Sequence, residues 1–221
     1  MSTSWAASSF VSHYRVDPEG VKIVGIGHRQ RQRSASASRQ WSHPRYLFVG
    51  VDWKRKNGAA VVAAFRRVHS MVPTATLHLV GGIPHIDEPG VVSHGLLPRG
   101  DARAQRTLDS LYASATCFVL PSRFEPAGIA YLEAGSAGLP VIATTQGGAS
   151  ELLESGALPV SPYDVGAITD AMMTAASGDK AEHMGELAAK AAAKSSWEKV
   201  ASRILAGISF AQENAYVGST S

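Results

Sequence analysis

The sequence is poor in several features, and each absence removes a class of protein. Cysteine occurs once in 221 residues, as Cys117, so no disulfide framework holds the chain. Cys117 stands in the apolar run from Thr116 to Leu120, where a small buried hydrophobe is expected rather than a nucleophile. No apolar stretch approaches the roughly 20 residues that a membrane-spanning helix needs. The first ten residues carry neither a basic segment nor a long apolar one, so a secretory leader is not expected and a reducing, cytoplasmic setting is. The glycine fingerprint of a dinucleotide-dependent dehydrogenase, G-x-G-x-x-G after a strand, does not occur. Nor does any metal-ligand spacing: the eight histidines are scattered and Asp87-Glu88 lies among prolines, so no metal is expected.

What is present describes a globular α/β chain. Hydrophobic residues make up 45% and charged residues 18%, with a formal net charge of +3, which suits one globular domain, or one domain plus an appendage, with a substantial core. The basic excess is local, in Arg29, Arg31, Arg33, Arg39 and Arg45, within a Ser/Gln-rich segment that has no acidic residue. We read it as a solvated loop, with an anionic group such as a phospholipid or nucleotide phosphate as the other option. Nucleic acid is not the expected partner.

Short apolar runs rich in β-branched residues alternate with stretches of helical period, the pattern of a parallel sheet with crossover helices. Strands are predicted at Val21–Ile26, Tyr46–Val49, Thr76–Val80, Val91–Ser93, Cys117–Leu120, Pro140–Ala143 and Leu158–Val160. Val61, Phe65, Val68 and Val72 form one apolar stripe of a helix over Ala59–Val72, and Pro73 stops it. A second helix follows Asp101 as N-cap, with Ala104, Leu108, Leu111 and Tyr112 inward. A third follows Pro126, placed for its first turn. From Asp164 the chain is Ala-rich and helical, Ser196 capping Trp197–Ile208, with no chemistry of its own expected there. Ser4–Tyr14 reads as a further helix, 28–44 as a long connection, and Asn214–Ser221 as a frayed tail.

Chemistry concentrates between Val119 and Ile142. A strand ends at Leu120 and a helix runs to the Gly138-Leu139-Pro140 stop, so the N–H groups near Gly128 and Ile129 face the carboxyl edge of the sheet as an anion site. Glu125 precedes this helix and Glu133 is expected about two turns along it, some 12 Å away at ~1.5 Å rise per residue. Carboxylates at that spacing suit vicinal hydroxyls at either end of a diphosphate. The cations it needs stand in Gly50-Val-Asp-Trp-Lys-Arg55-Lys56, another strand end followed by a helix; Arg55 and Lys56 could stabilise a departing phosphate, whereas Lys54 reads as a solvated residue.

This combination resembles the C-terminal, donor-binding half of GT-B-fold retaining glycosyltransferases of family 4, the glycosyl transferases group 1. Gly50 with Arg55-Lys56 resembles the family's phosphate loop. Val91-Val-Ser-His-Gly95 resembles the turn that frames the base, and Glu125 with Glu133 its E-x7-E motif. Thr144-Thr-Gln-Gly147-Gly148-Ala-Ser-Glu151 resembles the glycine loop, and Ser4-Trp5 with Val24-Gly-Ile-Gly27 the last helix and strand of the N-terminal half. The resemblance covers about Ser4 to Ile208. It departs at Asn57, where glycine is common.

The resemblance implies a Rossmann-like parallel sheet flanked by helices and a hexosyltransferase that needs no cofactor. The donor would be a nucleoside diphosphate sugar of UDP or GDP type, and the acceptor a glycan or lipid-linked glycan. Glu125, Arg55 and Lys56 would be catalytic: Glu125 orients the sugar, and the two cations assist departure of the diphosphate. Gly50, Gly95, Gly128, Ile129 and Glu133 would bind the nucleotide, Glu133 through the ribose diol. The expected organisation is a remnant of an N-terminal domain over 1–27, a linker over 28–44, the nucleotide-sugar domain over 45–211 and a tail over 212–221. The acceptor half is not recognised in the chain. A non-catalytic half working with a separately encoded acceptor subunit is therefore the alternative function, and peripheral attachment at the inner membrane face a further option for location.

Overall fold

The structure, a computed structural model, describes residues 1–31 and 39–218. Six strands form one sheet: β1 (Arg45–Val49), β2 (Thr76–Val80), β3 (Val91–Ser93), β4 (Cys117–Leu120), β5 (Val141–Thr144) and β6 (Ala157–Val160). Every pairing is parallel, in the order β3-β2-β1-β4-β5-β6. Six of the seven predicted strands coincide with these to within a residue at either end. β4 and β5 are buried along their whole length, which is why they read as continuous apolar runs rather than alternating ones.

Register assigns the two faces of the sheet. Tyr46 pairs with Cys117 and Leu47 with Phe118, so Tyr46 and Phe118 point to opposite sides. On the first side Tyr46 meets Phe65 of α2 (Gly58–Met71) edge-on and donates through its hydroxyl to the Met172 carbonyl of α5 (Val165–Ala175). On the other side Phe118 lies between Tyr112 of α3 (Ala102–Ser114) and Tyr131 of α4 (Ile129–Ser136). The apolar stripe of α2 is buried at Val61, Phe65 and Val68. Asp101 caps α3 by accepting from the N–H groups of Arg103 and Ala104, as its position before the apolar repeat implies. Asp164 caps α5 in the same way. Cys117 is fully buried and burial pushes its thiol far up, so it is a core residue without a nucleophile's chemistry.

The chain runs from β1 outward to β3 and then crosses to β4, so the sheet reverses its direction of growth between β1 and β4. In such sheets ligands bind in the crevice outside the carboxyl ends of the strands that flank this point. At the carboxyl ends of β1 and β2 the backbone comes close: Gly81 has φ +134°, and its hypothetical Cβ would lie 1.8 Å from the Gly50 carbonyl oxygen. Only glycine fits there. Beyond the sheet, α6 (Gly178–Ala192) packs on α4 and on the 3-10 segment Ala149–Gly156.

Three expectations fail. Val21–Ile26 forms no strand: its pairing is limited to Met1, which accepts from the Val24 N–H at 2.9 Å and donates to the Lys22 carbonyl at 2.8 Å, and among the described residues no longer partner converts β propensity into a strand. Pro126 is not in the first turn of α4, which begins at Ile129 after Gly128 in the left-handed conformation (φ 60°). The tail expected from Asn214 is instead the end of α7 (Trp197–Gly218), which Ser196 opens by accepting from the Lys199 N–H. Residues 219–221 lie outside the described residues. The helix Ser4–Tyr14 is present as α1.

His78 on β2 and His94 after β3 stack with Nδ1 of His78 3.0 Å from Nε2 of His94. Burial, then the neighbouring His94 and Arg45, hold the His78 pKa down to about 4 against an ordinary 6.5. The unfolded chain therefore takes up this proton first, and the folded state loses stability as pH falls from 6.5 towards 4 but not above 6.5. Denaturant unfolding at pH 7 and pH 5 is expected to show a fall that His78→Asn reduces by about 1–2 kcal/mol. An identical fall in the variant would show that His78 is not the group being titrated.

Candidate functional site

Two loops meet at the crevice. The loop after β1 carries Gly50 to Asn57. Asp52 caps it, accepting from the Arg55 N–H through Oδ1 at 3.0 Å and from the Lys56 N–H through its carbonyl at 2.8 Å. Asn57 ends the loop at φ 63°, the left-handed conformation that asparagine tolerates best after glycine. Its buried side-chain amide donates to the carbonyls of Pro121 and Pro162 at 3.1 and 2.7 Å. The departure from glycine at this position thus keeps the backbone geometry and adds two anchors.

The loop after β4 carries Ser122 to Gly128. Tyr131 holds it over the sheet, donating to the Leu120 carbonyl at 2.6 Å and accepting from the Thr144 N–H at 3.1 Å, so one phenol ties α4 to the ends of β4 and β5. Glu125 is 6% exposed and gathers the site around its carboxylate. Lys56 Nζ donates to Oε2, Ser122 Oγ donates to Oε2 at 3.1 Å, and Arg55 Nη1 stands 3.7 Å from the same oxygen. Oε1 faces the Gly128 N–H at 3.4 Å. The two loops are also joined through the backbone, Arg123 N–H to the Arg55 carbonyl at 2.8 Å, and Arg55 Nη1 to the Phe124 carbonyl at 3.2 Å.

A third loop completes the grip. The Glu125 N–H donates to the Gln146 carbonyl at 2.9 Å, and the Ala149 N–H to the Glu125 carbonyl at 3.2 Å. Gly147 lies between them at φ +102°, its absent Cβ leaving room for the Glu125 carbonyl. At the outer end of this loop Ser4 of α1 donates to Glu151, and Trp5 packs edge-on against Phe124 with ring centroids 5.5 Å apart.

The structure brings Arg55, Lys56, Glu125 and Gly128 together, with Ile129 opening the first turn of α4; the Tyr131 N–H of that turn donates to the Gly128 carbonyl at 2.8 Å, which leaves the N–H groups of Ile129 and Ala130 without an acceptor among the described residues. Gly50 packs against Lys56, but its N–H donates to the Val80 carbonyl at 2.8 Å. It therefore supports the loop rather than offering a free donor. Gly95 follows β3, with φ 64° and open space around its α-carbon, and its carbonyl accepts from the Gly81 N–H at 2.9 Å. Among the described residues no three of His, Cys, Asp and Glu gather where they could hold a metal ion.

Glu133 belongs to a different network. It is four residues into α4, one turn rather than two, because the helix begins later than expected. Its Oε2 accepts from Arg31 Nη2 at 2.8 Å and from the Tyr112 hydroxyl at 3.4 Å. Burial, then the carboxylate of Glu133, raise the Tyr112 phenol, which stays a donor. Arg31 also reaches Asp109 at 2.5 Å and lies over the Tyr112 ring, 4.9 Å from its centre. So Arg31, with a side chain 4% exposed, is not part of a solvated loop. Nor is Arg39, which donates to the carbonyls of Ala115 and Ala137 at the ends of α3 and α4. Arg33 lies outside the described residues. The partners that sequence reasoning missed are Arg31, Asp109 and Ser122. The local lack of acidic residues around Arg31 was their one signal, since these arginines had to find carboxylates elsewhere.

Comparisons with known proteins give the family and the fold. Residues 43–177 match the family of glycosyl transferases group 1. The GDP-mannose-dependent alpha-(1-6)-phosphatidylinositol monomannoside mannosyltransferase of Mycolicibacterium smegmatis is 33% identical over 134 residues, which cover 53% of this chain and 35% of that protein. The alpha-maltose-1-phosphate synthase of the same organism is 31% identical over 128 residues, 52% of this chain and 32% of that protein. The chain thus matches about a third of the length of these relatives. Among solved structures, the sucrose-phosphate synthase of Thermosynechococcus elongatus superposes with a TM-score of 0.72 at 22% identity, covering 100% of this chain and 58% of that one. The lipopolysaccharide glycosyltransferase WaaG does so with a TM-score of 0.71 at 21% identity, covering 94% and 60%. These likenesses establish a GT-B-type fold, and with the match over more than half of its residues the chain belongs to the glycosyl transferases group 1.

Proposed function

We propose that this chain is the donor-binding part of a glycosyltransferase that moves a sugar from a nucleoside diphosphate to an acceptor hydroxyl with retention of configuration and without a metal ion. The observation that carries the reading is the convergence of Lys56 and Arg55 on Glu125, beside the N-terminus of α4, at the point where the sheet changes direction. A diphosphate there would meet the helix N–H groups and two cations held by Asp52 and Glu125 before any ligand arrives, which is charge stabilisation prepared in advance.

In this reading Glu125 accepts from hydroxyls of the donor sugar and fixes the anomeric carbon beside Lys56. The bond from that carbon to the β-phosphate oxygen breaks as the acceptor oxygen attacks from the same side. The acceptor proton passes to the departing phosphate, whose charge Arg55 and Lys56 compensate. The acceptor class is a glycan or lipid-linked glycan, reached in the cytoplasm or at the inner membrane face. Among the described residues no helix is long and apolar enough to cross a membrane. The mannosyltransferase relative, GDP-mannose-dependent by its name, makes GDP-mannose the first donor to try.

Calorimetric titration of the full chain with GDP, UDP and ADP, each repeated with its nucleotide sugar, tests the reading. Saturable binding with one base is expected, and Glu125→Gln should weaken the nucleotide sugar about 10-fold more than the diphosphate. Equal losses would remove Glu125 from the sugar, and no binding of any nucleotide would remove the function.

A further inference from the structure

Arg29 and Arg31 reach α3 and α4 at several points. The Arg31 N–H donates to Ser136 Oγ at 2.9 Å. Its guanidinium spans Asp109 and Glu133, while Arg29 reaches Gln105 at 2.7 Å and Asp109 at 3.1 Å. Two details are unusual for a pair that serves only to join segments. The guanidinium gives one nitrogen to each carboxylate instead of a bidentate fork, and Nε, though buried, has no hydrogen-bond partner among the described residues. On the other side, both donors that reach Glu133, Arg31 and Tyr112, load the same oxygen, Oε2. Oε1 receives no hydrogen bond among the described residues, and the Glu133 side chain keeps 13% of its surface open.

We propose that Arg31 is a positioning residue for nucleoside recognition: with Tyr112 it holds Glu133 through Oε2 so that Oε1 is aimed to accept from a ribose hydroxyl. This rests on the reading of Glu133 as the ribose-binding group. A free glutamate at this place would have rotamers to lose on binding; one clamped through a single oxygen has fewer, and its other oxygen is the stronger acceptor for carrying no donor. The consequence is that nucleoside affinity depends on Arg31 keeping its contacts to α3 and α4, although it lies about a hundred residues from Glu133 in the chain.

The test is calorimetry on the full chain with the preferred ribonucleoside diphosphate, its 2′-deoxy and 3′-deoxy forms, and inorganic pyrophosphate. The ribonucleotide is expected to bind at least ~10-fold better than one of the deoxy forms. Arg31→Met should reduce that ratio towards 1 and leave pyrophosphate affinity unchanged, whereas Arg31→Lys should restore part of it. Asp109→Asn, which loosens Arg31 without touching Glu133, should give an intermediate ratio and serves if Arg31→Met does not fold. An unchanged ratio in Arg31→Met would overturn the proposal. So would tighter binding, which would make Arg31 an occupant that the nucleotide must displace. Nucleotide binding without any preference for ribose would overturn the role of Glu133 while leaving the diphosphate site standing; absence of all nucleotide and pyrophosphate binding would instead strike at the function itself.

Discussion

Lys56→Met is expected to bind the nucleoside diphosphate about 10- to 100-fold more weakly, the loss that goes with one charge-assisted hydrogen bond to phosphate. It should also unfold more easily. Glu125 has a side chain only 8% exposed, and without Lys56 it keeps the Ser122 hydroxyl at 3.1 Å and the more exposed Arg55 at 3.7 Å. Removing one partner of a fully buried pair costs about 3–5 kcal/mol; with Arg55 still near, about 1–3 kcal/mol is the reasonable range. The double variant Lys56→Met with Glu125→Gln separates the two effects. It removes the uncompensated carboxylate, so stability returns towards the original, while the phosphate contact stays lost. Urea unfolding and calorimetry on the same preparations give both numbers. Full retention of diphosphate affinity in the single variant would place the phosphate on another loop.

Gly147→Ala is expected to have a large effect for a single methyl group, and one that falls directly on Glu125. The residue sits at φ +102°, a conformation that costs an L-residue energy by itself, and its Cβ would fall 2.4 Å from the Glu125 carbonyl oxygen and 2.8 Å from the carbonyl carbon. Those atoms cannot swing away as a side chain could. They belong to backbone held by the Gln146 carbonyl at 2.9 Å and the Ala149 N–H at 3.2 Å. A loss of about 3 kcal/mol follows from strain and clash together, and a melting temperature lower by roughly 6–12 °C for a chain of this size. Because the displaced backbone carries Glu125, recognition of the sugar should fall more than that of the diphosphate. Gly100→Ala, with open space around its α-carbon, is the matched control and should change neither quantity. A melting temperature for Gly147→Ala equal to that of the control would mean that the loop does not grip Glu125 in solution.

Much of the arrangement is legible in the sequence. β2, β3 and β4 stand where their apolar runs are, and α2 and α3 where the apolar stripes and the Asp101 cap are, because those signals are local and each element satisfies its own backbone nearby. The meeting of Arg55 and Lys56 with Glu125 was legible one step further on. Both loops follow strands of a parallel sheet, and such loops necessarily share one edge. Val21–Ile26 shows the limit of the same reasoning, since an apolar run becomes a strand only where a neighbour offers a ladder, and the neighbour is decided elsewhere in the chain.

By itself, then, the sequence determined the class of fold, the order of its elements and the loops that carry the cations and the first glutamate. Tertiary structure alone decided that Gly50 spends its N–H on the sheet, that α4 opens at Ile129 so that Glu133 comes one turn in, and that Arg31 rather than solvent faces Glu133. The physical reason is the same in each case. A buried donor or carboxylate must be matched, and its partner, 30 residues away for Gly50 and 102 for Glu133, is chosen by packing that no local pattern records.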